Sequence, residues 1–241
     1  MTEGHALLQL FRALLAAPIT WQALAEVGER LPNVWAPYDR SIRHGTSFAR
    51  QSVNDSAFAE KPTLVGRAVL LRPFKEDDLD VMWEMVNDPE GRWLTASAGV
   101  FTRSQMNGWY MSRSAQADRL DLAIVETGSG RCVGEVVLNE LDQTNQSCNF
   151  RISLSSPQVR GRGLGTEAAR LMLRHAFASV KVHRVELEVY SFNPRAQRSY
   201  VKAGFVVEGL RREALHWHDE WYDAIVMAAL QEEWLDADAK S

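Results

Sequence analysis

The sequence predicts an α+β fold of about seven strands and about four helices, preceded by an N-terminal helical extension. Two observations carry this. From Thr63 onward, runs with a two-residue apolar period alternate with runs of helical period, in the order β-α-α-β-β-β-α-β-α-β-β. Three of the strand-like runs also follow one another through short polar connections, Thr127-Gly128-Ser129-Gly130 and Asp142 to Ser147, which read as hairpin loops.

The elements follow in chain order. Ala6-Leu7-Leu8, Leu10-Phe11 and Leu14-Leu15 recur at helical spacing, and Thr20 can cap a second helix from Trp21 to Arg30, ended by Pro32. With Glu26 and Glu29 on that helix, the basic face of a helix-turn-helix reader is missing, so a packing or oligomer contact is the better reading. Asn33 to Pro62 is polar without a clear period, a linker or loosely packed arm. Residues 1–60 are therefore an extension, 61–235 the folded domain and 236–241 a tail.

Within the domain, Arg67 to Pro73 reads as a strand and Lys75 to Asn87 as a helix, with Leu79, Met82, Trp83 and Val86 on one face and Pro89-Glu90-Gly91 ending it. Thr102 to Ala117 is a second helix. Leu120 to Glu126, Cys132 to Leu141 and Cys148 to Leu154 are strands. The helix from Leu164 to Ala178 buries Leu164, Ala168, Leu171 and Met172 and shows Glu167, Arg170 and Arg174 to water. Val185, Leu187 and Val189 alternate in the next strand, a short helix stops at Gly204, and Phe205 to Ala214 with Trp221 to Leu230 form a last hairpin.

Composition narrows the function. The chain has 241 residues, 46% hydrophobic and 24% charged, with a net charge of −4, which argues against general nucleic-acid binding. Cys132 and Cys148 are its two cysteines; no disulfide framework and no metal-ligand spacing follows, and a reducing, cytoplasmic setting is expected. The apolar stretch Ala6 to Ile19 is too short to span a bilayer, and Glu3 stands where a signal peptide would be basic. No membrane partner is expected.

The most informative stretch is Gln158-Val159-Arg160-Gly161-Arg162-Gly163-Leu164-Gly165-Thr166, between a strand and a helix. Alternate glycines permit tight turning and close approach of a ligand, and the helix directs free N–H groups and its positive dipole end to the same place. This is an anion site suited to a phosphate or pyrophosphate. No Lys-Ser/Thr follows the last glycine, which excludes an NTPase loop, and the spacing is not the G-x-G-x-x-G of dinucleotide folds.

The spacing Gln-x-x-Gly-x-Gly resembles the pyrophosphate loop of the GNAT N-acetyltransferase superfamily, which binds acetyl-CoA. Asn193-Pro194-Arg195-Ala196, Tyr200 and Gly204-Phe205 are similar to the GNAT segment that follows its fifth strand. Val69-Leu70-Leu71-Arg72-Pro73 and the ending Glu208-Gly209, Arg211-Arg212-Glu213, Glu220-Trp221, Asp223 and Met227 resemble the RimJ/RimL-type branch, so the resemblance covers Thr63 to Leu230. It implies a mixed, splayed sheet wrapped by helices, acetyl-CoA as co-substrate without a metal, and transfer of the acetyl group to a primary amine: a protein N-terminus, an amino acid or a small amine. Dimers are common in that superfamily.

The resemblance also distributes roles. Val159 through Thr166 would hold the pyrophosphate, with Arg160 and Arg162 at the phosphates or, on a blander reading, as solvated loop charges. Ile152, Ser153 and Leu154 would bond the pantetheine arm through their backbone. Asn193 would bond the cofactor, cap its helix, or both. Tyr200 would protonate the leaving thiolate, against a core-packing alternative. Glu135 is the first choice of base, with Glu140, Glu188 and Asp223 competing and surface pairing a standing alternative for each. Branch members often carry an acid where Asn149 stands, a departure that weakens the case for a strand-borne base. His216-Trp217-His218-Asp219 reads as a hairpin tip rather than a metal site, and Trp109 and Tyr110 as an acceptor pocket or as core. The rival function is a non-catalytic acyl-CoA-binding sensor or assembly module, which would have no need of an acid at the sulfur.

Overall fold

A computed structural model describes residues 52–238. The expected helices before Thr20 and after it, and the end of the tail, lie outside the described residues.

The chain enters through a short helix, α1 (Asp55–Ala59), capped by the Asn54 side chain. The strands are β1 (Leu64–Val65), β2 (Val69–Arg72), β3 (Leu120–Glu126), β4 (Cys132–Asp142), β5 (Ser147–Leu154), β6 (Arg184–Tyr190), β7 (Val206–Trp217) and β8 (Glu220–Leu230). They form one sheet in the order β1-β2-β3-β4-β5-β6-β8-β7. Every pairing is antiparallel except β5 with β6. The eighth strand, beyond the expected seven, is β1, two residues long and too short to show a period.

Between β2 and β3 run α2 (Leu79–Asn87), α3 (Pro89–Leu94) and α4 (Arg103–Ser112). Pro89-Glu90-Gly91 does end α2, but it also opens α3: the Asp88 side chain accepts the Gly91 N–H, and proline fits the first helical position. A capping box between Thr102 and Gln105 starts α4. The remaining helices are α5 (Leu164–His175), α6 (Pro194–Ala203) and α7 (Gln231–Asp238).

The helices cover both faces of the sheet. On one face, α5 presses Leu164, Ala168, Leu171 and Met172 into a core with Val136, Leu138, Phe150 and Leu187. On the other, Met82 and Met85 of α2 and Met106 and Tyr110 of α4 pack over Ala123 and Cys132.

Two expectations need correction. Residues 55–59 do not belong to a loose arm: Phe58 is fully buried, the Asn54 N–H bonds the Val180 carbonyl, and His175 bonds the Ala57 carbonyl. Burying a phenylalanine contributes roughly 1.5–3 kcal/mol, so the core begins before residue 60. Glu167 is not on the wet side of α5. Its carboxylate accepts the Arg67 and Ala68 N–H groups and fastens the β1–β2 turn.

One irregularity positions the site. β5 and β6 pair only through Ser147–Asn149 and Arg184–Glu186. Beyond that point the two strands separate, and Phe150 to Leu154 has no partner strand on its β6 side. On its other side β5 is held tightly to β4: a Cβ on Gly134 would lie 2.1 Å from the Ser153 carbonyl oxygen, so no larger residue fits there. Among the described residues, no helix is long and apolar enough to cross a membrane.

Candidate active site

The loop from Val159 to Thr166 closes the open end of the β5–β6 gap. Gly161 and Gly163 have φ of 76° and 83°, a left-handed region that glycine enters without strain. A Cβ at either would meet nothing within 4 Å, so these glycines border open space and serve conformation rather than packing. Gly163 is the N-cap of α5, and no side chain caps that helix. Its first-turn N–H groups and dipole are therefore available to an anion. Leu164 is buried, and a Cβ added at Gly165 would lie 3.5 Å from Leu154 Cδ1 and 3.8 Å from Ile152 Cδ1. Thr166 Oγ1 and Ser199 Oγ are 2.7 Å apart, joining the start of α5 to α6. Ile152, Ser153 and Leu154 lie on the unpaired half of β5, partly exposed.

Both loop arginines pair with carboxylates in this structure. Arg160 turns away from the loop: its Nη1 donates to Glu90 Oε2 at 2.8 Å, and its Nη2 donates to Asp88 Oδ2 and, at 3.1 Å, to the Leu154 carbonyl. Its side chain is 7% exposed. A guanidinium so engaged acts as a strut for the loop in this structure. Arg162 pairs with Glu126 but is half-exposed, so it can turn toward a ligand.

Asn193 caps α6, accepting the Ala196 N–H at 3.1 Å. The Tyr200 ring meets Phe150 edge-on at 6.1 Å and Phe205 at 5.9 Å, at the level where β5 leaves β6. Burial pushes its phenol up to about 12, so the phenol stays protonated and can donate.

Glu135 lies opposite Ala123 and Ser153 on β4, on the face covered by α4. The Tyr110 phenol lies beside its carboxylate, whose Oε2 is buried with no partner. Burial first, and then the charge of Asp121, push the Glu135 carboxyl up to about 7. That value suits a general base near neutral pH. The competitors are occupied or remote. Glu188 pairs with Arg211, and Asp223 accepts the Glu213 N–H at 2.8 Å. Glu140 borders an open cleft of about 700 Å³ with Asp55, Asp118 and Gln143, at the end of β4 away from the gap. Asn149 sits in the last β5–β6 pair before the strands part.

Of the two aromatic residues on α4, Tyr110 is core, whereas Trp109 is partly exposed with the Arg113 guanidinium 3.5 Å above its ring. His218 and Asp219 form the hairpin tip with positive φ, and among the described residues no three potential metal ligands cluster. Sequence reasoning missed Asp88 and Glu90, whose partner lies some seventy residues away, and the ring cluster in which Trp93 stacks on Phe192 at 4.1 Å and meets Tyr222 edge-on. For Asp88 there was a usable signal, since an aspartate before proline is a helix-start pattern.

Comparisons with known proteins bear on the family and the fold. The family model described as "Acetyltransferase (GNAT) domain" matches residues 68–206. Spermidine N(1)-acetyltransferase of Escherichia coli (strain K12) is 26% identical over 170 residues, covering 70% of this chain and 89% of that protein. Among solved structures, a GNAT-family acetyltransferase from Bacillus anthracis superposes with a TM-score of 0.63 at 22% identity, covering 71% of this chain and 99% of that one. Spermidine N-acetyltransferase from Vibrio cholerae, solved with CoA and spermine, gives 0.64 at 21%, covering 70% and 98%. The sheet matches theirs in fold, and the family model spans more than half of the chain: it belongs to the GNAT acetyltransferase family.

Proposed function

We propose that this protein is a cytoplasmic, acetyl-CoA-dependent N-acetyltransferase that acetylates a primary amine by direct attack in a ternary complex. The observation that carries the reading is the β5–β6 gap, with a glycine loop at its end, Tyr200 on one face of the sheet and Glu135 on the other. The residues fit the co-substrate in three respects. The glycine cradle opens to space, the α5 N-terminus lacks a side-chain cap, and the free edge of β5 offers backbone groups to an amide-containing arm.

When bound, acetyl-CoA supplies an activated acyl thioester. The loop Val159 to Thr166 would hold its pyrophosphate through backbone N–H groups, with Arg162 adding charge. Ile152, Ser153 and Leu154 would align the arm along β5, and Asn193 would hold both its helix and the ligand. Glu135 would take the proton of the amine as the new N–C bond forms, and Tyr200 Oη would donate to the sulfur as the C–S bond breaks. Approach of base and acid from opposite faces keeps the two proton transfers apart. The buried, unpaired thiols of Cys132 and Cys148 are compatible with a reducing compartment.

Motif resemblance favours the RimJ/RimL-type branch, and hence protein N-termini, as acceptors. The relatives named for spermidine make polyamines an equal first choice. Release of CoA thiol from acetyl-CoA, measured with spermidine, spermine, free amino acids and short peptides bearing free N-termini, tests the reading. Thiol release that no amine accelerates would reduce the protein to an acyl-CoA binder.

A further inference from the structure

We propose that Asp88 and Glu90 are positioning residues for the cofactor, holding the glycine loop, α3 and the start of α6 in one charged joint. The proposal rests on the cofactor reading above. Its geometry is local and complete. Glu90 stands between two arginines, with Oε2 accepting from Arg160 at 2.8 Å and Oε1 from Arg195 at 2.9 Å. Asp88 Oδ2 accepts both from Arg160 and from the Gly91 N–H. A Cβ on Gly91 would lie 3.0 Å from Arg160 Nη2 and from Asp88 Oδ2, so that glycine leaves room for the joint. Arg160 also donates to the Leu154 carbonyl, where the free edge of β5 ends. Arg195 comes two residues after Asn193, and Trp93 of α3 stacks on Phe192, one residue before it. Both segments expected to touch the cofactor are thus tied to α3 through two carboxylates.

The proposal makes a claim about sign. Two carboxylates beside an anion site repel the anion, so on charge alone their neutralisation tightens binding of a pyrophosphate. If they instead hold the loop in its binding form, neutralisation weakens binding, because Arg160 loses the partners that keep its guanidinium in place. Direct phosphate binding by Arg160 also predicts tightening, since the arginine would be released.

Titration of CoA onto the full chain decides between them, using Asp88→Asn/Glu90→Gln, Arg160→Gln and the triple variant. Asparagine still caps α3. We expect the double variant and Arg160→Gln each to bind CoA about tenfold more weakly, and the triple variant to bind no worse than either, because one joint is broken in all three. Unchanged or tighter binding by the double variant overturns the proposal, as does a triple variant whose losses multiply. Should the double variant fail to fold, Glu90→Gln alone carries the same sign test, its side chain being 41% exposed. A parent protein that does not bind CoA ends the cofactor reading itself; a parent that binds, with variants that bind equally well, ends only this one.

Discussion

The Tyr110 phenol on α4 lies beside the Glu135 carboxylate on β4, beneath the helix that covers this face of the sheet. The Oε2 of Glu135 is buried and unpartnered. The pair joins a helix that begins with a capping box to β4, the strand beside β5, which borders the cofactor gap.

A pH dependence follows. With the Glu135 carboxyl up at about 7, kcat/KM should rise with pH through that value and then level. Glu135→Gln should flatten the rise and lower turnover by about a hundredfold. Stability should move the opposite way. The folded-state pKa lies above the unfolded one, so the folded chain binds more protons between roughly pH 4.5 and 7, and stability falls as pH rises through that window. Glu135→Gln should therefore unfold at higher temperature than the parent at pH 8 and lose that advantage near pH 4.5. Melting curves at the two pH values check this.

Tyr200→Phe should keep CoA affinity and melting temperature, because its ring contacts with Phe150 and Phe205 need no hydroxyl. Turnover with a working acceptor should drop by about a hundredfold if the phenol donates to the sulfur. Equal turnover in the two proteins would leave Tyr200 as a packing residue.

Gly163→Ala separates strain from crowding. Nothing lies within 4 Å of the new Cβ, so the cost is conformational, about 1–2 kcal/mol at a φ of 83°. A slightly lower melting temperature with weakened CoA binding is expected. Gly163→Asp adds a carboxylate against the pyrophosphate and should abolish binding in calorimetry.

Truncation tests where the core begins. A chain starting at Ser52 should fold and bind CoA, since α1 and its bonds to Val180 and His175 are retained. One starting at Lys61 loses Phe58, a deletion worth about 3–5 kcal/mol in a packed core. Denaturant midpoints of the two chains measure the difference. Equal midpoints would return residues 52–60 to the arm.

Much of this was legible in the sequence because its signals are local. β3 was expected at Leu120–Glu126, where it lies, since its ends carry loop residues on both sides. The start of α6 at Pro194 and its cap at Asn193 were readable from adjacent residues. What stayed hidden depends on distant partners. Glu167 looked solvated because the N–H groups it bonds are a hundred positions earlier. The separation of β5 from β6 was expected only through the family resemblance, as Phe150 to Leu154 itself reads like any strand. Arg160 carries the same charge whether it faces a phosphate or two carboxylates; only the fold decides. α1 was lost because a helix of five residues is too short to show a period.

The strand order β6-β8-β7 bears on biosynthesis. β8 is the last strand of this sheet in chain order among the described residues, yet it occupies an interior place, pairing with β6 on one side and β7 on the other. As the chain leaves the ribosome, β6 emerges with the glycine loop already behind it, but its second edge has nothing to pair with until Glu220–Leu230 follows. The anion cradle can thus take shape on the nascent chain before the sheet that supports it is finished. A message truncated before β8 would leave the open edges of β6 and β7 to find each other between molecules.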